Sequence, residues 1–228
     1  MRDDDFLMQR KFDGVRCIIT CSNGKVSAQS RNGLSIRLVD ELVDALTGFE
    51  GELDGELVGS VFHAFDCLSC GEDYWGRYLS IPDSKTPYFV TVGIFYGPSK
   101  IEAFQQAIAE KWEGVVFKRM SAPITEGKRH KDQYKFKFTK SASMLVADRN
   151  LSRSVRIECL GSTGRVFCGN VTIPQDEPMP SIGDIIEVEY LYAMPKTNAL
   201  FQPVYKWQRT DIPVSDCIFS QLVFKSDA

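Results

Sequence analysis

The segment MQRKFDGVR, residues 8–16, brings four chemically different groups into six positions. Lys11 supplies an amine and Asp13 a carboxylate, while Gly14 gives a permissive backbone and Arg16 a permanent positive charge. This combination suggests a chemical site, because it places a nucleophilic amine beside a carboxylate and a fixed cation. The segment is short, so its interpretation depends on what the rest of the chain supplies.

The composition is that of an ordinary globular protein. Of 228 residues, 43% are hydrophobic and 25% are charged, which is enough apolar material for a packed core. No apolar run approaches the ~20 residues that cross a bilayer, and the N-terminal segment lacks the features of a signal peptide. We therefore expect a cytoplasmic protein without membrane contact, in the host cytoplasm if its source is a virus.

The seven cysteines form an odd set without regular spacing, which predicts free thiols rather than disulfides. Cys67 and Cys70 have the spacing of half a zinc site, but no second pair lies near them in the sequence. The only histidines are His63 and His130, and a closed zinc site needs four ligands, so we expect no structural zinc.

Positive charge is concentrated in residues 118–140, although the net charge of the chain is −3. This segment holds eight Lys/Arg and two acidic residues, so its net charge is +6. Residues 141–228 hold eight Lys/Arg and ten acidic residues, so their net charge is −2. Within it, Tyr134, Phe136 and Phe138 alternate with Lys135 and Lys137. A period of two predicts a strand whose lysines share one face, and two ammonium groups on one face suit a phosphate.

Turn and helix signals organise the first half of the chain. Asn23-Gly24 predicts a β-hairpin within residues 15–33, and residues 39–48 have the pattern of a short amphipathic helix. The capping pair Ser99 and Glu102 predicts a second helix that runs to about residue 111. The residues predicted for its buried face are Ile101, Phe104 and Ile108. Residues 51–68 and 87–97 read as strands.

The pattern changes after residue 141. Residues 155–174 and 183–195 are strand-like runs interrupted by Gly and Pro, without a helical period. They predict a small β-barrel of the oligonucleotide-binding type. The chain as a whole therefore reads as α+β, with one domain in residues 1–141 and another in residues 142–228.

Six short motifs occur in order along the chain. They are KFDGVR (11–16), SRNG (30–33), DGEL (54–57), FHAFD (62–66), EGVVFK (113–118) and YKFK (134–137). With the β-rich tail, their order and approximate spacing resemble those of the covalent nucleotidyltransferases. Within that superfamily the chain is most similar to ATP-dependent DNA ligases of the minimal phage type, and the similarity extends over nearly its whole length.

The resemblance implies a fold and an activity. Residues 1–141 would be a nucleotidyltransferase (adenylation) domain of antiparallel sheets with flanking helices, and residues 142–228 an oligonucleotide-binding-fold β-barrel. The activity would be sealing of nicks between 3′-hydroxyl and 5′-phosphate ends through lysyl-AMP and a DNA-adenylate, in DNA replication, repair or recombination. ATP and Mg²⁺ would be the cofactors and nicked double-stranded DNA the partner of a monomeric enzyme.

The resemblance also assigns roles to individual residues. Lys11 would bond to AMP, and Asp13 would act around the metal or the 3′-hydroxyl during sealing. The nucleotide would contact Gln9 at the adenine amino edge, Phe65 stacked on the base, Glu56 at the ribose hydroxyls, and Arg31 at ribose or phosphate. Glu113 would be the main Mg²⁺ ligand, with Glu56 as a second candidate.

An exposed lysine is mostly protonated at neutral pH, so neighbouring cations are needed to favour the neutral amine. The cations that the resemblance assigns to the pocket are Arg16, Arg129, Lys135, Lys137 and, from the final motif, Arg209. That motif departs from the family, because Ile212 stands where a lysine is usual, and Lys206 is a candidate substitute.

Only ten residues precede Lys11, so we expect no separate N-terminal DNA-binding domain. The tail would then carry much of the duplex contact, through residues such as Arg149, Arg153, Arg156 and Arg165.

Two alternatives remain. An RNA ligase or an mRNA-capping guanylyltransferase would share the lysine chemistry, and the nucleotide that becomes covalently attached would distinguish them. A non-catalytic nucleic-acid-binding module is the alternative from another class. The intact set Lys11, Glu56, Glu113, Lys135 and Lys137 argues against it.

Overall fold

The computed structural model of the chain describes residues 3–83, 86–125 and 131–225. Contacts divide them into two units, the first ending at Lys137 and the second beginning at Phe138. The domain change that the sequence predicts, after residue 141, differs from this division by four residues. None of the described helices combines the length and apolar character needed to span a bilayer.

The first unit contains nine strands and three helices in its described part. They are β1 (Phe6–Lys11), β2 (Val15–Ser22), β3 (Lys25–Ser30), α1 (Asp40–Leu46), β4 (Gly51–Val58), β5 (Val61–Cys67), α2 (Tyr74–Leu79), β6 (Phe89–Thr91), β7 (Ile94–Phe95), α3 (Ser99–Ala109), β8 (Gly114–Arg119) and β9 (Gln133–Lys137).

Two sheets form this unit. One has the strand order β7-β1-β8-β9, and the other has the order β3-β2-β4-β5-β6. Every pairing is antiparallel except that of β5 with β6. The larger sheet packs Ile19, Leu53 and Phe62 against Leu42 and Leu46 of α1. Period-two burial along β2 and β5 explains why these segments form strands with one face in the core.

The predicted hairpin at Asn23-Gly24 is confirmed. Ser22 pairs with Lys25 across the turn, and both central residues have positive φ, 51° at Asn23 and 70° at Gly24. Asn and Gly tolerate this left-handed conformation, which matches the twist of the flanking strands.

The predicted buried face of α3 is wrong for Ile101 and Ile108, whereas Phe104 is partly buried as predicted. Ile101 and Ile108 are 47% and 56% exposed, whereas Lys100, Ala103 and Ala107 face the core. The amine of Lys100 donates to the carbonyls of Asp3 and Phe6, which satisfies a lysine on the buried face of the helix. Ser99 is the first helical residue rather than a side-chain cap, and its hydroxyl bonds to the backbone of Tyr96.

The second unit is a sheet of five strands with a small hairpin. Its strands are β10 (Lys140–Arg149), β11 (Ser154–Gly161), β12 (Gly164–Thr172), β13 (Ile185–Tyr190), β14 (Tyr192–Ala193), β15 (Leu200–Phe201) and β16 (Val204–Arg209). The sheet order is β12-β11-β10-β13-β16, and β14 pairs with β15. Met144, Ile157 and Val188 lie at the centre of the core.

The mixture of antiparallel sheets and few helices confirms the α+β class. The expected barrel, however, is not closed. Within residues 138–225, β12 and β16 are the sheet edges and no backbone ladder joins them. Oligonucleotide-binding folds are five-stranded barrels that are partly open, and the open sheet is compatible with that type. Irregular register at Val146/Asp148 and Glu187/Val188 bends the sheet.

Candidate active site

Lys11 and Glu113 meet where β1 and β8 pair. Lys11 ends β1 opposite Gly114, the first residue of β8, so Glu113 stands directly beside it. The Lys11 amine donates to Glu113 Oε2 at 2.5 Å and to the Phe12 carbonyl at 3.3 Å. Lys137 approaches the other oxygen of Glu113 at 3.7 Å from β9, which pairs with β8. The sheet order β1-β8-β9 thus assembles two lysines around one carboxylate.

Gly14 brings the backbone of the following loop against β4. Its amide donates to Glu56 Oε1 at 3.2 Å. A Cβ at this position would lie 2.4 Å from the carbonyl oxygen of Leu57, so the approach requires glycine. Burial raises the pKa of Glu56, while the Gly14 amide and the Lys11 charge act against this rise. Asp13, in the same loop, is partly buried.

Cations line the opposite wall of the site. Arg16 makes a two-point contact with Asp54, at 3.0 Å from Nε and 2.6 Å from the terminal nitrogen. Burial lowers the pKa of Lys135, and the charges of Lys11, Arg16 and, more weakly, Arg31 lower it further. These groups therefore act on one another in one electropositive region that suits an anion. The predicted strand of alternating lysines, β9, is confirmed.

A cavity of about 180 Å³ opens beside Lys11. Its wall includes Gln9, Phe65, Tyr74 and Lys118, together with the charged side chains of Lys11, Arg16, Asp54, Glu56 and Lys135. Gln9 is 1% exposed and accepts a hydrogen bond from the Tyr74 hydroxyl at 2.8 Å. The Tyr74 hydroxyl also lies 2.7 Å from the Phe65 carbonyl. Aromatic rings beside fixed polar groups are typical of a site that binds a planar ligand.

Lys118 is a buried cation that the sequence did not single out as a site residue. Its amine donates to the Tyr74 hydroxyl at 3.1 Å and to the Phe65 carbonyl at 3.4 Å. It also lies 4.3 Å from the ring centre of each of these residues. Burial lowers its pKa to about 8. The available signal was its place at the end of the EGVVFK motif.

An ion pair that sequence reasoning also missed, Arg77 with Asp66, lies beside the cavity and joins α2 to β5. Arg77 is 2% exposed, and its Nε donates to Asp66 at 2.8 Å. Asp66 follows Phe65 directly, so this buried pair fixes the strand end that carries the aromatic ring. The first turn of α2 contributes Tyr74, and its N-cap Asp73 accepts from the amide of Gly76 at 2.8 Å.

No protein-family model and no curated protein sequence matches the chain. Solved structures do match it. The Lig E DNA ligases, described as binding DNA with a minimal scaffold, align over 92% of this chain and 94% of theirs at 16% identity, with a TM-score of 0.72. The chain has a DNA ligase fold.

Two further structures share the ligase fold. One, named Pmar-Lig_PreS3, has a TM-score of 0.74 and 16% identity, and the match covers 89% of this chain and 63% of that one. The other is a mycobacterial DNA ligase D complexed with ATP and MES, with a TM-score of 0.54 and 20% identity over 93% and 92% of the two chains.

Within the ligase fold, most of the residues singled out from the sequence lie in one region. Those that line the cavity are Gln9, Lys11, Arg16, Glu56, Phe65 and Lys135. Glu113 contacts Lys11, and Lys137 in turn contacts Glu113. Arg31 is exposed, and its connection to the site is that its charge helps to lower the pKa of Lys135. Arg129 lies outside the described residues.

Arg209 belongs to the second unit of the ligase fold. There its guanidinium contacts Asp211 at 2.6 Å, Glu187 at 3.3 Å and the Ser143 hydroxyl at 2.9 Å. The hydrogen bond to Asp211 is the main cause that raises the pKa of Arg209. Lys206, the candidate substitute for the missing motif lysine, contacts Glu189 at 3.2 Å.

Mg²⁺ would find two carboxylates at this site. In the described part of the chain, no three His, Cys, Asp or Glu side chains converge on a point. The charge of Glu113 contributes to the raised pKa of Glu56, so the two carboxylates interact electrostatically. Mg²⁺ typically uses one or two carboxylates together with waters and substrate phosphates, so this pair fits it.

Proposed function

We propose that the chain is an ATP-dependent DNA ligase that seals nicks between 3′-hydroxyl and 5′-phosphate ends, acting as a monomer on duplex DNA. One observation carries this proposal. The amine of Lys11 is held by Glu113 and by the Phe12 carbonyl at the wall of a cavity that also contains aromatic rings and further cations.

In the first step, Lys11 Nζ attacks the α-phosphorus of ATP. A nitrogen–phosphorus bond forms, the bond to pyrophosphate breaks, and the amine loses a proton. Glu113 Oε2, at 2.5 Å, is the base within reach of that proton. Lys135 lines the same cavity, and Lys137 lies 3.7 Å from Glu113; both would offset the negative charge of the phosphate.

The base of the nucleotide would bind beside Phe65. Stacking of a nucleic-acid base on an aromatic ring contributes ~1–3 kcal/mol. Lys118 and Gln9 add polar groups fixed by Tyr74, and such groups select among bases because a mismatched partner leaves them unpaired. Glu56 would accept hydrogen bonds from the ribose, and Arg31 would contact ribose or phosphate.

Later steps transfer AMP to the 5′-phosphate, after which the 3′-hydroxyl attacks that phosphate and AMP leaves. Arg16, Lys135 and Lys137 would hold the phosphate, Asp13 would act at the 3′-hydroxyl, and Arg129 and Arg209 would contact phosphates of ATP. Glu56 and Glu113 would hold Mg²⁺. When bound, this ion would supply positive charge to the phosphate.

The deciding experiment is intact-protein mass spectrometry after incubation with ATP or GTP in the presence of Mg²⁺. We expect one AMP per chain with ATP, none with GTP, and none for Lys11→Ala with either. Nicked DNA and nicked RNA are then offered as acceptors, and we expect DNA to be joined. A GMP adduct would instead indicate a capping enzyme, and preferential joining of RNA would indicate an RNA ligase. Absence of any adduct would indicate a non-catalytic binding module.

A further inference from the structure

Four side chains, two from strands β1 and β5 and two from loops, form a continuous column beside Lys11. The guanidinium of Arg10 lies between two rings, 4.8 Å from the ring centre of Phe12 and 5.0 Å from that of Trp112. The ring of Phe12 also stacks on the ring of His63, with a centre-to-centre distance of 3.9 Å and an interplanar angle of 20°. Cation–π and stacking contacts of this kind each stabilise a geometry by about 1 kcal/mol.

The column includes Phe12, whose carbonyl holds the amine of Lys11, and Trp112, the residue before Glu113, which also holds this amine. Phe12, the residue after Lys11, provides the carbonyl that accepts from the amine at 3.3 Å. Trp112 precedes Glu113, whose carboxylate accepts from the same amine. The indole of Trp112 is itself fixed, since its N–H donates to Glu110 at 2.8 Å. Side-chain stacking therefore fixes the backbone on either side of the nucleophile.

His63 contributes its ring to this column through the stacking on Phe12. Its Nδ1 is buried and has no hydrogen-bond partner among the described residues. Buried polar atoms are normally paired, so an unpaired one calls for another reason to keep the ring there. Burial and, to a smaller extent, the charge of Arg10 lower the pKa of His63, which favours the neutral ring against Phe12.

We propose that Arg10, Phe12 and His63 are positioning residues for Lys11, and this rests on the proposed ligase function. A lysine side chain loses up to ~2 kcal/mol of rotamer entropy when it is fixed, and an error of about 1 Å in the reacting geometry costs ~100-fold in rate. A column that fixes the Phe12 carbonyl and the Glu113 backbone reduces both costs for the attack on ATP. It has no part in sealing, where the lysine has already delivered AMP.

The test compares His63→Ala, which removes the ring, with His63→Phe, which keeps a ring of similar shape. Arg10→Met removes the cation, and Arg37→Met, at an exposed arginine outside the cavity, is its control. For each variant, ATP affinity, the single-turnover rate of lysyl-AMP formation, sealing of pre-adenylated nicked DNA and the thermal unfolding midpoint are measured.

We expect His63→Ala and Arg10→Met to slow lysyl-AMP formation by about 10- to 100-fold, with ATP affinity and sealing of pre-adenylated DNA within about threefold of the unmodified protein. His63→Phe should restore the rate, and Arg37→Met should leave it unchanged. Unchanged adenylation in His63→Ala, a parallel loss of ATP affinity and sealing, or failure of His63→Phe to restore the rate would each refute the positioning role. Absence of an adduct on the unmodified protein would refute the ligase proposal itself, which separates the two failures.

Discussion

The amine of Lys11 lies 2.5 Å from the carboxylate of Glu113, although 102 residues separate them in the chain. Lys11 belongs to the first of the six sequence motifs and Glu113 to the fifth. Pairing of β1 with β8 brings the two residues together. The side chains are 18% and 7% exposed, so their interaction is only weakly screened by water. This pair is the centre of the proposed reaction.

Glu113→Gln should slow lysyl-AMP formation by about 100- to 1000-fold, the range found when a fixed electrostatic group is removed from an active site. The amide keeps the size of the side chain but can neither take the proton of Lys11 nor balance its charge. Glu41→Gln, at an exposed position of α1, is the matched control. A single-turnover rate within about threefold of the unmodified protein would contradict the role of Glu113.

Gly14→Ala should slow the same step by ~100-fold, because a Cβ 2.4 Å from the Leu57 carbonyl must push the loop after Lys11 away from β4. The contact between the Gly14 amide and Glu56 would be lost with it. Gly48→Ala is the control, since nothing lies within 4 Å of a Cβ at that position. If both alanine variants form adducts at the same rate, the close approach has no functional importance.

Lys118→Met should change how stability depends on pH. With its pKa near 8 in the folded chain and 10.5 as the ordinary value, Lys118 binds more protons in the unfolded chain between these limits. The unmodified protein should therefore gain about 2 kcal/mol of unfolding free energy relative to the Met variant between pH 7 and pH 10. The penalty for burying the charge is fully present below pH 8. Urea unfolding at both pH values measures the difference. Parallel pH profiles of the two proteins would show that burial does not lower the pKa of Lys118.

Arg209→Ala should slow lysyl-AMP formation by ~100-fold and spare sealing of pre-adenylated DNA, because its proposed partners are phosphates of ATP that leave in the first step. Lys196→Ala, at an exposed position of the second unit, is the control. Since Arg209 also pairs with Glu187 and Asp211, thermal unfolding is measured alongside. A defect confined to sealing would show that Arg209 acts at a later stage.

Binding of nicked DNA should weaken by orders of magnitude between ~50 and ~200 mM salt, because each neutralised phosphate releases counterions. Lys131 and Lys135 belong to the basic segment expected to contact phosphate, and replacing both by Met should flatten the slope by about two. Fluorescence anisotropy with a labelled nicked duplex gives the slope directly. An unmodified protein with a flat salt response would exclude this segment from phosphate binding.

Features that depend on a few adjacent residues were predictable. The Asn23-Gly24 turn follows from backbone preferences at two positions, and β9 follows from the alternation of Lys135 and Lys137 with aromatic residues. The face of α3 was not predictable in this way. Ile101 and Ile108 are exposed, while Lys100 is buried and bonds to the carbonyls of Asp3 and Phe6, and the sequence contains no local sign of those partners.

The sequence by itself determined which chemical groups the chain possesses and in what order, from Lys11 to the lysines of β9. Only the tertiary structure decided that Lys118 and Arg77 are buried beside the cavity, that Phe12 stacks on His63, and that the second sheet stays open. The physical reason is that desolvation, stacking and strand closure depend on distances between residues far apart in the chain. Those distances are fixed when the sheets pair, and no window of neighbouring residues contains them.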